Sequence, residues 1–148
     1  SHSFAEHMAL DWSKNGKIMS ITLSNNALLT ALSNDYSYED AFRKHLEMNY
    51  KPGDLVVTIS SSGNSKNIIK VIDYCNDNDI VILTLSGLKQ SNYSKNNSKN
   101  LIYVPAKTYG VVECAHQLFL HLWLDNYMNI YDWDREDEQN MNSNNFNL

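Results

Sequence analysis

The chain has 148 residues, 43% hydrophobic and 20% charged, a composition that supports a folded domain with its own core and excludes a disordered or fibrous protein. Its net charge of −5 is concentrated late, because Asp132, Asp134, Glu136, Asp137 and Glu138 against Arg135 account for −4 of it. The remainder has no basic stripe, which argues against a nucleic-acid partner, and no apolar run approaches the ~18 residues of a membrane span.

In chain order, residues 1–12 read as a helix with Phe4, His7, Met8 and Asp11 on one face at i, i+3, i+4 and i+7 spacing. A polar turn leads to residues 18–23, Ile-Met-Ser-Ile-Thr-Leu, whose composition predicts a strand. A short helix over 27–32, opened by Ser24, Asn25 or Asn26, runs into Ser33, Asn34 and Asp35. A clearer helix follows Ser37 and ends near residue 49. The Lys-Pro-Gly-Asp turn at 51–54 then delivers the chain into a β-branched run, 55–59, with the length of a buried strand. A serine-rich loop at 60–65 leads into a helix marked by Ile68, Ile69, Val71 and Ile72 and ending near Cys75. Residues 80–85 form a second apolar strand. The polar stretch 87–100 reads as a loop with at most a helical turn, 101–104 as a short strand stopped by Pro105, and 111–128 as the longest helix. The acidic, Asn-rich residues 131–148 read as a disordered tail, which leaves 1–130 as the folded domain. Strands alternating with helices, two of the strands apolar throughout, predict an α/β fold: a three-layer sandwich with a central parallel sheet flanked by helices. The cysteines, Cys75 and Cys114, form neither a metal-type pair nor a disulfide framework, so the expected location is cytoplasmic.

Two sets of residues carry chemistry. In the loop Ser60-Ser61-Ser62-Gly63-Asn64-Ser65, hydroxyls and free backbone N–H groups collect between a strand and a helix start. That combination suits an anion, phosphate above all, at the carboxyl end of a parallel strand. The simpler alternative is a βα turn in which Ser62 or Asn64 caps the helix. The second set is His7 and Asp11 on the first helix, with Glu113, Gln117 and His121 on the last, each series spaced by four. Two imidazoles and two carboxylates suit a divalent metal or proton transfer between carbon atoms, whereas a surface ion pair is the plainer reading of a histidine and a carboxylate at i, i+4. His116, His45 and His2 read as packing or surface residues, and Cys114 as core.

With both sets in view, the chain resembles the sugar isomerase (SIS) domain family, and within it the phosphoheptose isomerases, over about residues 1–125. The serine loop matches the family's Ser-Thr/Ser-Ser-Gly-Asn-Ser phosphate loop, and Ser33-Asn34-Asp35 matches a substrate-contacting Asn-Asp pair. Ala5-Glu6-His7-Met8-Ala9-Leu10-Asp11 is similar to the family's Ala-Gln-His-x-Ala-x-Glu helix. Glu113, His116 and His121 are similar to its Gln-Glu-x-His-x4-His segment. Three departures stand out. Asp11 replaces a usual Glu, and Glu113 replaces a usual Gln. Ser1 falls on the serine of an Asn-Gly-Gly-Ser loop whose preceding helix and glycines are absent, as in an N-terminally truncated form.

The resemblance implies an aldose–ketose isomerase that converts sedoheptulose 7-phosphate to D-glycero-D-manno-heptose 7-phosphate through a cis-enediol, for heptose glycoconjugate synthesis. It implies Asp11 and His121 as the catalytic pair, and Ser1, Asn34, Asp35, Ser60, Ser61, Ser62, Ser65 and Glu113 as substrate- and phosphate-binding residues. It implies zinc, Zn(2+), held by His7, Asp11, Glu113 and His121, and a homotetramer with active sites at subunit interfaces. A non-catalytic SIS module that binds a sugar phosphate or a protein partner is the alternative from another class.

Overall fold

In the computed structural model, which describes residues 1–130, three parallel strands form one sheet in the order β1-β2-β3. They are β1 (Val56–Ser60), β2 (Ile82–Gly87) and β3 (Asn100–Val104). The helices are α1 (His2–Lys14), α2 (Asn26–Asp35), α3 (Tyr38–Asn49), α4 (Lys66–Asp77), α5 (Tyr93–Asn97) and α6 (Tyr109–Tyr127). The strands are flanked by helices, as the alternating pattern predicts. No helix among the described residues is long and apolar enough to cross a membrane. The acidic tail expected at 131–148 lies outside the described residues.

The chain divides into two compact units. The first contains residues 23–116, and the second contains 2–22 with the described residues from 117 on, so that α6 supplies residues to both. In the first unit the register is fixed along the whole of β1, from Val56 opposite Ile82 to Ser60 opposite Ser86. Thr58 faces Thr84 in this register; the Thr58 hydroxyl donates to Thr84 Oγ1 at 3.0 Å, and that of Ser98 does so at 2.9 Å. Buried hydroxyls are thus paired rather than orphaned. Below them lies an apolar cluster of Val71, Ile72, Cys75, Ile80 and Ile82, against which Phe42, Leu46, Tyr50 and Ile68 pack. Burial pushes the Cys75 thiol up to about 11, so it behaves as a small apolar core residue.

Local chemistry explains most boundaries. Ser37 opens α3 by accepting from the Asp40 amide at 3.0 Å, and Asn25 opens α2 by accepting from Leu28 N at 3.0 Å. Arg43 bridges Asp40 and Glu47 along α3, and holds the Asp40 carboxyl below the usual range. Two expectations need correction. Residues 18–23 form no strand: Ile18, Met19 and Ile21 are exposed, Met19 at 88%. The Ser13 hydroxyl ties this segment to α1 instead, accepting from Ser20 N at 2.9 Å. A β-branched run becomes a strand when a neighbour pairs with it, and none does here among the described residues. Second, β2 alone is central among the described strands. β1 lies at an edge, which accounts for the 39% exposure of Val57 in a run that reads as fully buried.

Ile72 is fully buried at the centre of the apolar cluster. Replacing it with Ala should cost about 2–5 kcal/mol, read as a lower urea midpoint with an unchanged slope.

Candidate functional site

The serine loop lies where β1 gives way to α4. Ser60, the last residue of β1, and Ser61 are buried at 4% and 5% exposure, Ser62 is half-buried and Ser65 is exposed. Ser60 Oγ lies 3.3 Å from Ser65 Oγ, so the loop folds back on itself within five residues. The Ser61 hydroxyl donates to Glu113 Oε1, on the first turns of α6, at 3.4 Å. Gly63 turns the chain with a φ of +65°, a left-handed conformation that a side chain disfavours, and its amide donates to Ser60 O at 3.0 Å.

The capping alternative fails at this turn. The N-cap of α4 is Ser65, whose side chain makes no capping bond. Ser62 Oγ accepts from the Asn64 amide at 3.2 Å, and Asn64 Oδ1 accepts from Tyr93 N at 2.9 Å, so both serve the loop rather than the helix end. In the first turn of α4, Ile68 N already donates to Ser65 O at 3.0 Å and to Asn67 Oδ1 at 2.9 Å. The amides of Lys66 and Asn67 precede any i−4 acceptor in the helix, and the helix dipole places partial positive charge there. Hydroxyls, amides and dipole converge as an anion site requires.

Around the carboxyl ends of β1 and β2 several of the buried groups are polar, beside the apolar Leu85 and Val112. Ser86, opposite Ser60, is fully buried, and His116 Nε2 donates to its carbonyl at 3.0 Å. Since a carbonyl only accepts, that bond fixes the proton on Nε2. Burial holds His116 below its ordinary pKa, so the ring is neutral at pH 7. His116 therefore ties α6 to β2, consistent with a packing role.

In the second unit, α1 packs with the later part of α6 through aromatic rings. Trp12 meets Trp123 and Tyr127 at centroid separations of 4.8 and 5.1 Å. Toward the start of α1, the rings of Phe4 and His7 both lie beside that of His121, at centroid separations of 6.2 and 5.4 Å. His7 Nε2 lies 3.1 Å from Asp11 Oδ2, the pair expected from their spacing. One ligand atom from each of His7, Asp11 and His121 lies within 4.8 Å of the others, with His7 exposed and the other two partly buried. Two imidazoles and a carboxylate are the donor types zinc takes, and three protein ligands leave a position for water or substrate. The donor set fits the metal.

Among the expected site residues, the structure thus brings Ser60, Ser61, Ser62 and Ser65 together with Glu113 in one unit, and His7, Asp11 and His121 together in the other. Asn34 and Asp35 close α2, where Asn34 Nδ2 donates to Asp35 Oδ1 at 3.2 Å; both are exposed, as is Ser1. Cys114, expected in the core, is exposed, because it lies on the side of α6 turned away from buried Val112 and His116. The sequence reading also passes over Asn92 and Tyr93, inside the stretch read as loop. The available signal is Asn92 as an N-cap: its Oδ1 accepts from Lys95 N at 2.9 Å and starts α5.

Comparison with known proteins bears on the family and the fold. The family model described as "SIS domain" matches residues 1–87. A protein of Thermoplasma volcanium named "Probable phosphoheptose isomerase" is 33% identical over 125 residues, covering 82% of this chain and 63% of the relative. The phosphoheptose isomerase of Aneurinibacillus thermoaerophilus is 33% identical over 99 residues, 67% of this chain and 50% of its own length. The chain therefore spans less than two thirds of either relative. The solved structure of the phosphoheptose isomerase of Neisseria gonorrhoeae superposes with a TM-score of 0.76 at 26% identity, covering 85% of this chain and 70% of that one. A serine loop built at the end of β1, a family model spanning 1–87 and a shared three-dimensional fold lead to one conclusion: this chain belongs to the SIS domain family.

Proposed function

We propose that the protein is a phosphosugar isomerase of the phosphoheptose type, interconverting sedoheptulose 7-phosphate and D-glycero-D-manno-heptose 7-phosphate. The observation that carries this reading is the grouping of His7, Asp11 and His121 within 4.8 Å. A module that only binds a sugar phosphate needs the serine loop but has no use for a paired acid and base.

In this reading Ser60 and Ser61 shape one end of the loop, Ser60 against Ser65 and Ser61 by donating to Glu113, while Ser62 and Ser65, with the first amides of α4, hold the phosphate. Their binding energy positions carbons at the other end of the sugar. Asn34 and Asp35, with Ser1 and Glu113, contact the sugar. Asp11 and His121 share the proton transfers. One removes a proton from C1 of the ketose while the other protonates the C2 carbonyl oxygen, giving the cis-enediol. The C1 hydroxyl then loses its proton as C2 gains one, which leaves an aldehyde at C1 and a hydroxyl at C2. Zinc, held by His7, Asp11 and His121, would supply polarisation of the substrate oxygens. A homotetramer in the cytoplasm, making heptose for glycoconjugates, completes the proposal.

Full-length protein incubated with sedoheptulose 7-phosphate should form the heptose 7-phosphate. His121→Ala should lower kcat at least 100-fold, the lower end of what a positioned acid–base group contributes, while inorganic phosphate binding measured by calorimetry stays within about twofold. A fully active variant would sink the assignment. Sugar-phosphate binding without turnover by the unmodified protein would assign it instead to the non-catalytic SIS modules. His7→Ala should abolish stoichiometric zinc uptake, measured by metal analysis after dialysis; undiminished uptake would remove His7 from the metal set.

A further inference from the structure

We propose that residues 87–94 are the positioning element of the serine loop, with Asn92 as the residue that locks it, an inference that rests on the phosphate assignment above. Asn92 is 3% exposed and uses both ends of its amide. Its Nδ2 donates to Gly87 O at 3.3 Å and Lys89 O at 3.1 Å, the carbonyls that leave β2, while its Oδ1 accepts from Lys95 N at 2.9 Å. The start of α5 is thereby fixed to the carboxyl end of β2.

From that fixed point the first residues of α5 hold the loop. The Ser94 amide donates to Gly63 O at 2.9 Å, and the Tyr93 amide donates to Asn64 Oδ1 at 2.9 Å. The Asn92 side chain also fills the space beside Gly63, where a methyl group would fall 2.0 Å from Asn92 Oδ1. Tyr93 extends the hold to α4, because its hydroxyl donates to Asp73 Oδ1 at 2.5 Å. On the other side, Lys95 Nζ sits 3.9 Å above the ring of Tyr103 in β3, and the Tyr103 hydroxyl donates to Leu88 O at 3.2 Å. The loop residues Gly63 and Asn64 are thus held at a carbonyl, a side chain and a steric contact, all from an element outside the serine motif. Asn92 and Asn64 need touch no substrate; they are positioning residues, and a preset loop binds phosphate without an ordering cost.

The test uses full-length protein with inorganic phosphate as the calorimetric probe and sedoheptulose 7-phosphate as the kinetic one, below each variant's melting temperature. Asn92→Ala removes the lock, and Asn64→Ala, at an exposed position, removes the Tyr93 contact with little risk to folding. Each variant should weaken phosphate binding about tenfold, the scale of one lost hydrogen bond, and raise KM by a similar factor while kcat stays within about twofold of the unmodified protein. Phosphate affinity within twofold of the unmodified protein in both variants would overturn the positioning role and leave the phosphate assignment standing. A fall in kcat at constant KM would overturn it too, by placing the residues in the chemistry. Absence of phosphate binding in the unmodified protein would overturn both readings.

Discussion

The left-handed turn at Gly63 is the constraint on which the first unit depends. The chain must leave a buried strand end at Ser60 and begin a helix at Lys66, and it reverses within those residues through a φ of +65°. A glycine makes that conformation cheap, and its missing side chain leaves the room that Asn92 occupies. The turn and its neighbour specify each other. With the Gly63 carbonyl and the Asn64 side chain engaged by α5, the hydroxyls of Ser60, Ser62 and Ser65 bond within the loop itself.

The same unit shows a gradient along its strands. Toward the amino ends, the core is Ile80, Ile82, Val71, Ile72 and Cys75; toward the carboxyl ends, the buried residues become Ser60, Ser61, Ser86, Ser94 and His116. Among the described residues, Ser86 Oγ, Ser94 Oγ and His116 Nδ1 are buried with no hydrogen-bond partner. Each such group costs stability, on the order of 1–3 kcal/mol where no water reaches it. A fold that only needed stability would fill those positions with apolar side chains, as it does a few residues earlier along the same strands. The polar end is where ligands bind in parallel α/β sheets, which gives the expense a use.

Much of this was legible before any coordinates. The break from a β-branched run into Ser-Ser-Ser-Gly-Asn-Ser and then into an Ile-rich helical period locates β1, the loop and α4 within about two residues. The i, i+4 spacing of His7 and Asp11 predicts their contact, which the helix delivers at 3.1 Å. Other features depend on tertiary context. Residues 18–23 have strand composition but lack a pairing partner among the described residues, and composition carries no information about partners. Asn92 sits in a stretch of Ser, Asn and Lys with no period, so its burial could not be read from pattern. Its importance comes from being packed against a glycine 29 positions earlier, a relation that only the fold creates.

The replacement of the family's usual Gln by Glu113 changes how the serine loop can meet an anion. The Ser61 hydroxyl donates to the Glu113 carboxylate, so its proton is already committed. A phosphate approaching Ser61 would face that carboxylate at close range, and like charges a few ångströms apart repel even when partly screened. Gln in the same place would carry no charge and would leave the serine hydroxyl free to turn toward the ligand. On the phosphate reading, the anion is then best held at Ser62, Ser65 and the first amides of α4, on the part of the loop farther along the chain from Ser61. Ser61 acts chiefly by fixing Glu113. The serine motif is therefore not four equal contacts: one hydroxyl orients a carboxylate, and the rest of the loop is left for the phosphate.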